Sequence, residues 1–185
     1  MRRVILYIAM SLDSYIADVN GGVGWLNGQN PEIETSDSYA EFVQDIDTVI
    51  MGWNTYRQVT EELLPDEWLY GDLQSYVITH REIADKERIY FVQNSPADLL
   101  RGLLKEPGRD IWICGGAGIV QQLMTENLID RWHIAVIPTL LGAGLRLFAN
   151  FRPKIDLKLL QTQTYNGIVE LIYERRMTER VTCDV

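Results

Sequence analysis

The residues from Ile111 to Met124, IWICGGAGIVQQLM, have the composition of an anion grip. Four apolar residues, too few for a helix, run into Gly115-Gly116-Ala117-Gly118. Ile119, Val120, Leu123 and Met124 then recur at helical spacing, which predicts a buried strand, a tight turn and a helix. Glycines at such a turn let backbone approach a ligand closely, and the first amides of the helix are unpaired donors with partial positive charge, so a pyrophosphate fits. The spacing is not the full Gly-x-Gly-x-x-Gly fingerprint, and a turn that needs glycine only for strand-to-helix packing reads the same way. A second turn of this kind is Gly52-Trp53-Asn54-Thr55, and Thr79-His80-Arg81 adds hydroxyl, imidazole and guanidinium donors. Arg81 matches a phosphomonoester such as a 2′-phosphate, or is simply a solvated charge at a strand end.

Other chemistries are disfavoured. There is no Gly-x-Ser-x-Gly elbow, and His80 and His133 fall on different predicted strands with no cysteine beside them. Cys114 lies in a predicted core strand and Cys183 in the tail, so no disulfide framework is expected. The net charge of −9 argues against a nucleic-acid or anionic-membrane partner. A few local donors still suffice for a phosphorylated small molecule, because salt screens distant charge beyond about 8 to 10 Å. No apolar run approaches the ~18 residues of a membrane span, and the start reads as a first strand, so a cytoplasmic protein is expected.

The elements that must position these groups follow in order. Val4–Met10 is a nearly continuous apolar strand. The stretch from Asp18 to Pro31 is rich in turn signals, and its Trp25 either caps a ligand site or pins the loop to the core. Glu34–Asp47 carries Tyr39, Phe42, Val43 and Ile46 as a helical stripe with Thr35 or Ser36 as cap. Strands are predicted at Thr48–Gly52, Ser75–Thr79, Arg88–Val92 and Trp132–Ile137, a helix at Asn54–Glu62 with Asn54 as cap, and another opened by Ser95-Pro96. Asn166-Gly167 between two strand patterns marks a hairpin. The expected fold is α/β in three layers: a mixed, mostly parallel eight-stranded sheet with helices on both faces and a C-terminal antiparallel hairpin, in one domain. Ligands of such sheets sit beyond the carboxyl ends of the parallel strands, where the glycine turns fall.

Five segments in one order carry a resemblance. They are Ser11-Leu12-Asp13-x-x-Ile16-Ala17, Met51-Gly52-x-x-Thr55-Tyr56, Val77-Ile78-Thr79-x-Arg81, Ile113-x-Gly115-Gly116-Ala117, and Ile137-Pro138-x-Leu140-Leu141-Gly142-x-Gly144-x-x-Leu147-Phe148. Together they resemble the dihydrofolate reductase-like superfamily, most closely the reductase domain of bacterial bifunctional riboflavin-biosynthesis deaminase-reductases, over roughly residues 3–176. The resemblance implies an NADPH-dependent reductase of a small heterocycle, working as a homodimer. Dihydrofolate reduction and a non-catalytic nucleotide-binding role are the alternatives.

By matching position, Gly52 and Thr55 would meet the cofactor diphosphate, Thr79, His80 and Arg81 the 2′-phosphate side, and Gly115, Gly116, Ala117, Gly118 and Ile119 the pyrophosphate. Ala9 and Ser11 would border the nicotinamide, and the loop from Asp18 to Asn30 would close over the substrate. Asp37, on the helix after that loop, is implied as a proton-relay carboxylate, and Asp13 as a group holding a substrate ring nitrogen or hydroxyl. Two departures stand out: Trp53 where the family commonly has Arg, leaving Arg57 or Arg81 to supply the charge, and Ser14 where it commonly has Gly.

Overall fold

The computed structural model describes residues 2–30, 32–33, 38–65, 67–149 and 154–176. Its spine is an eight-stranded sheet in the order β5-β4-β3-β6-β1-β7-β10-β9. The strands are β1 (Val4–Ser11), β3 (Ile46–Gly52), β4 (Gln74–Ile78), β5 (Ile89–Val92), β6 (Asp110–Gly115), β7 (Arg131–Ile137), β9 (Leu157–Tyr165) and β10 (Ile168–Arg175). Every pairing from β5 to β7 is parallel, whereas β10 runs antiparallel to both β7 and β9. The fold expectation therefore holds. A separate two-stranded ribbon, β2 (Tyr15–Ala17) with β8 (Leu145–Arg146), was not expected, because segments of three and two residues leave no periodicity to read.

The central strands are apolar on both sides because both faces are covered. On one face Val4, Leu6, Ile50, Ile111 and Ile113 pack against Leu100 of α3 (Pro96–Leu103) and Val120, Leu123 and Met124 of α4 (Ala117–Thr125). On the other, Ile5, Val49, Met51 and Trp112 pack against Phe42 of α1 (Ser38–Gln44) and Tyr56 of α2 (Trp53–Gln58). A single π-helical turn over Val59–Leu63 continues α2. Ser95 caps α3, its hydroxyl accepting from the Asp98 amide at 3.2 Å with Pro96 in the first turn.

Two boundaries differ from the sequence reading. Ile46 leaves the helical stripe and starts β3, fully buried, because a β-branched residue entering a core strand gains more than one at a fraying helix end. Asn54 is not a cap. Gly52 holds that position with extended backbone, and Asn54 lies exposed in the first turn of α2. The caps Thr35 and Ser36 fall outside the described residues. Ser14 has a φ of +70°, the left-handed region in which glycine carries no steric cost and serine does.

Candidate active site

Because β3 and β6 are neighbours in the sheet, the two glycine turns at their carboxyl ends lie side by side. A Cβ on Gly52 would stand 3.4 Å from Ile119 Cδ1 and 3.9 Å from the Gly116 amide nitrogen. Thr55 Oγ1 lies 3.7 Å and 3.9 Å from where Cβ atoms of Gly115 and Gly116 would be. Gly115 has a φ of +139°, a conformation that requires glycine. Neither Gly52 nor Gly116 offers a side-chain cap; the Ile119 amide turns back to the Gly116 carbonyl at 3.0 Å, which leaves the Ala117 and Gly118 amides of α4 for another acceptor. Ala117 and Ile119 point into the core and anchor α4, whereas Gly118 is exposed with open space where a side chain would be.

The end of β4 completes this rim. Thr79 is buried and its hydroxyl accepts from the Arg81 amide at 3.2 Å, which shapes the turn that exposes His80 and Arg81. The Arg81 guanidinium lies 4.9 Å from the centre of the Trp53 ring. Trp53 thus seats a cation beside the glycine turns. Arg57 is turned toward Glu61 on its own helix, 3.8 Å away.

At the end of β1, Ser11 is fully buried and its hydroxyl donates to Asp13 Oδ1 at 2.6 Å while accepting from the Tyr15 amide at 3.0 Å. Asp13 also accepts from the Leu141 amide at 3.1 Å and the Gly142 amide at 2.7 Å. The Ser11 hydroxyl, with help from the Gly142 and Leu141 amides, holds the Asp13 carboxyl down to about 2. A carboxylate so placed carries no proton at neutral pH, and its oxygens clasp the loop after β7. Asp37 lies outside the described residues, immediately before α1.

Trp25 packs with Ala9, Ala135, Ile137, Tyr165 and Ile168, which lays the loop over the end of β1. The far end of the loop is fastened to the β9–β10 hairpin. The Gln29 amide donates to the Asn166 carbonyl at 2.9 Å, the Asn30 amide to Asn166 Oδ1 at 2.8 Å, and Asn166 Nδ2 to the Asn30 carbonyl at 2.8 Å. Gly28 and Gly167 approach this latch so closely that a Cβ on either would collide with Asn166 or Gln29.

Beneath α1, on the same sheet face as Ala9, is a group the motifs did not single out. Glu170 is fully buried and accepts from Ser38 Oγ at 2.8 Å, Tyr165 Oη at 2.7 Å, His133 Nε2 at 2.8 Å and Gln163 Nε2 at 2.6 Å. Burial pushes its pKa up, but the donors from His133, Tyr165, Ser38 and Gln163 outweigh it and hold the carboxyl at about 2. The available signal was alternation: Glu170 shares its strand face with Ile168 and Ile172, an inward register in which a carboxylate must find partners. His133, read as structural, stands opposite Ile172 and packs on Tyr7 at 4.3 Å between ring centres.

Comparison with known proteins agrees with this geometry. The RibD C-terminal domain model matches residues 2–170. The chain belongs to the RibD C-terminal domain family. Among its relatives, the Bacillus subtilis (strain 168) protein YwjB is 37% identical over 175 residues, covering 94% of this chain and 98% of YwjB. The riboflavin biosynthesis protein RibD of Corynebacterium ammoniagenes is 26% identical, covering 80% of this chain and 46% of RibD. The crystal structure of a putative riboflavin biosynthesis protein from Shewanella sp. PV-4 superposes with a TM-score of 0.81 at 25% identity, covering 95% and 99% of the two chains. The fold and the reductase-domain family are thereby fixed. Among the described residues no helix is long and apolar enough to cross a membrane.

Proposed function

We propose that this protein is an NADPH-dependent reductase of a small heterocyclic substrate, akin to the reductase of riboflavin biosynthesis. The observation that carries the reading is the adjacency of Gly52, Thr55 and Gly115–Gly118 on neighbouring strand ends, with Arg81 seated on Trp53 next to them. The open space at Gly118 and the uncapped amides of α4 fit a pyrophosphate, which a side chain at this turn would exclude. Arg81 suits a 2′-phosphate, so it takes the role of the missing arginine at position 53.

When bound, the reduced nicotinamide supplies a hydride, and the chain must position the acceptor and exclude water. Ala9, near the end of β1, shares one apolar cluster with Trp25, so the loop covers that strand end, and the Asn166 latch holds the loop down. Titrating the protein with NADPH and NADH while following intrinsic fluorescence tests the reading, followed by a panel of ribosylaminopyrimidine, dihydrofolate and related rings monitored at the nicotinamide absorbance. Saturable quenching with tighter NADPH than NADH binding is expected. No quenching by either nucleotide removes the proposal.

We also propose that two copies associate through the outer end of the sheet. Leu157, Leu159 and Leu160 are exposed on the edge strand β9, beside an apolar cleft of about 310 Å³ lined by Trp132, Ile134, Phe148 and Leu171 among others. An apolar edge of this length is a liability unless covered. Light scattering on the eluting protein should give twice the chain mass, and Leu159→Lys should halve it.

A further inference from the structure

The loop after β2 begins with a turn that the Asn166 latch does not account for. Residues 18–22 fold around one carboxylate: Asp18 Oδ1 accepts from the Asn20 amide at 2.7 Å and from the Gly22 amide at 2.9 Å. The Asp18 amide donates to the Gly22 carbonyl, and the Gly21 amide to the Asp18 carbonyl, each at 3.0 Å. Gly22 is fitted to this arrangement, since a Cβ there would stand 2.7 Å from Asp18 Oδ2. Trp25 Nε1 donates to the Gly22 carbonyl at 3.2 Å, which joins the turn to the indole that packs with Ala9. Residues 18–22 therefore form a stiff knuckle.

The tip of the knuckle lands on α2. Gln58 Nε2 donates to the Gly21 carbonyl at 3.0 Å and to Glu62 Oε2 at 3.3 Å. A carbonyl and a carboxylate oxygen both accept, so the nitrogen of the Gln58 amide must face them, and Glu62, one turn further on, aims it. Gln58 is the last residue of α2, about one and a half turns from the Gly52 turn at which that helix opens. The knuckle leaves the β2–β8 ribbon beside the end of β1, and β6 lies between β1 and β3 in the sheet. A segment that starts beside β1 and touches the helix after β3 therefore crosses the column of β6, whose carboxyl end carries the Gly115–Gly118 turn. We propose that Gln58 is the catch of a strap: the knuckle closes over a dinucleotide seated on the glycine rim, and the bond to Gly21 sets how long the nucleotide stays. The assignment rests on the nucleotide reading of the rim. The bond is neutral and exposed, so it biases the strap toward closure by about two- to tenfold, enough to govern release and too little to bar entry. By linkage, a bound nucleotide favours closure by the same factor with which closure favours the nucleotide.

The experiment uses the whole chain and two variants: Gln58→Leu, which keeps the bulk and removes the donor, and Asp18→Ala, which takes the acceptor out of the knuckle. Hydrogen exchange of the free protein reads the catch, and stopped-flow release of NADPH into an excess of NADP+ reads the strap. In both variants the peptide covering residues 18–24 should exchange faster than in wild type, and NADPH should leave about two- to tenfold faster. Association should stay within about twofold of wild type, because the seat on the rim is untouched. Gln58→Leu should melt at the wild-type temperature, which separates the catch from a general loss of stability. Unchanged exchange of that peptide in Gln58→Leu overturns the catch, and faster exchange with unchanged NADPH release overturns the strap. Faster exchange with no NADPH binding by wild type or variants leaves the catch standing and removes the reductase reading instead.

Discussion

Replacing Asn166 with Gly tests whether the roof over the β1 end is a latched flap. The substitution deletes two hydrogen bonds, Asn30 N to Oδ1 and Nδ2 to the Asn30 carbonyl, and leaves the main-chain bond from Gln29 to the residue-166 carbonyl available. Asn166 has a φ of +45°, which Gly adopts freely, so no backbone strain confounds the result. Exposed neutral bonds contribute about 0.5–1 kcal/mol each, so latch closure should weaken by about 1–2 kcal/mol, a factor of about 5–30 in the open population. Hydrogen exchange read by mass spectrometry should show peptides from residues 18–30 exchanging faster by that factor while those of β1 and β7 keep their protection. Unchanged exchange in the loop, or equal acceleration of loop and sheet, would refute the idea that this side chain fastens it. Asn166→Ala should open the loop further, because a left-handed alanine adds about 1 kcal/mol of strain.

Gly116→Ala should abolish nucleotide quenching with little change in melting temperature, since the new methyl meets only Thr55 Oγ1 at 3.9 Å within the chain; a large loss of stability would mean that the turn serves packing alone. Asp13→Asn should lower the melting temperature at pH 7. The Asp13 pKa is depressed to about 2, so its contribution is fully present above about pH 4 and fades as pH falls through 2, where wild type and variant should converge. Glu170→Ala strands four donors beneath α1 and should cost about 2–4 kcal/mol in chemical denaturation; a loss under 1 kcal/mol would show that water satisfies them.

The glycine turns were legible in the sequence because each lies where an apolar run gives way to helical spacing, and their meeting on one rim followed from the rule that parallel strand ends gather there. The hairpin was legible because Asn166-Gly167 demands positive φ at both positions, as observed at +45° and +77°. The cluster around Glu170 was not. It joins Ser38, His133, Gln163, Tyr165 and Glu170 from four elements, and no local spacing encodes a contact 132 residues apart such as that from Ser38 to Glu170. For Asp13 the strand-end position was legible but its partners were not: Leu141 and Gly142 arrive from 128 and 129 residues downstream. Trp53 was legible as a departure, but that it serves as a platform for Arg81 depends on how β4 lies against α2.

The small ribbon of β2 and β8 bears on how the loop can move. It pairs Ala17 with Leu145 immediately before the loop begins, and Gly144 sits so tightly on the Ala17 carbonyl that no larger residue fits. With this clasp at one end and Asn166 at the other, the stretch between behaves as a tether of fixed length pinned at two posts. It can arch outward but cannot swing clear, so a ligand must enter beneath an arch whose clearance is set by the number of residues from 18 to 28. Lengthening or shortening the Asn20–Gly24 turn should therefore retune the size of ligand admitted while the clefts below keep their shape.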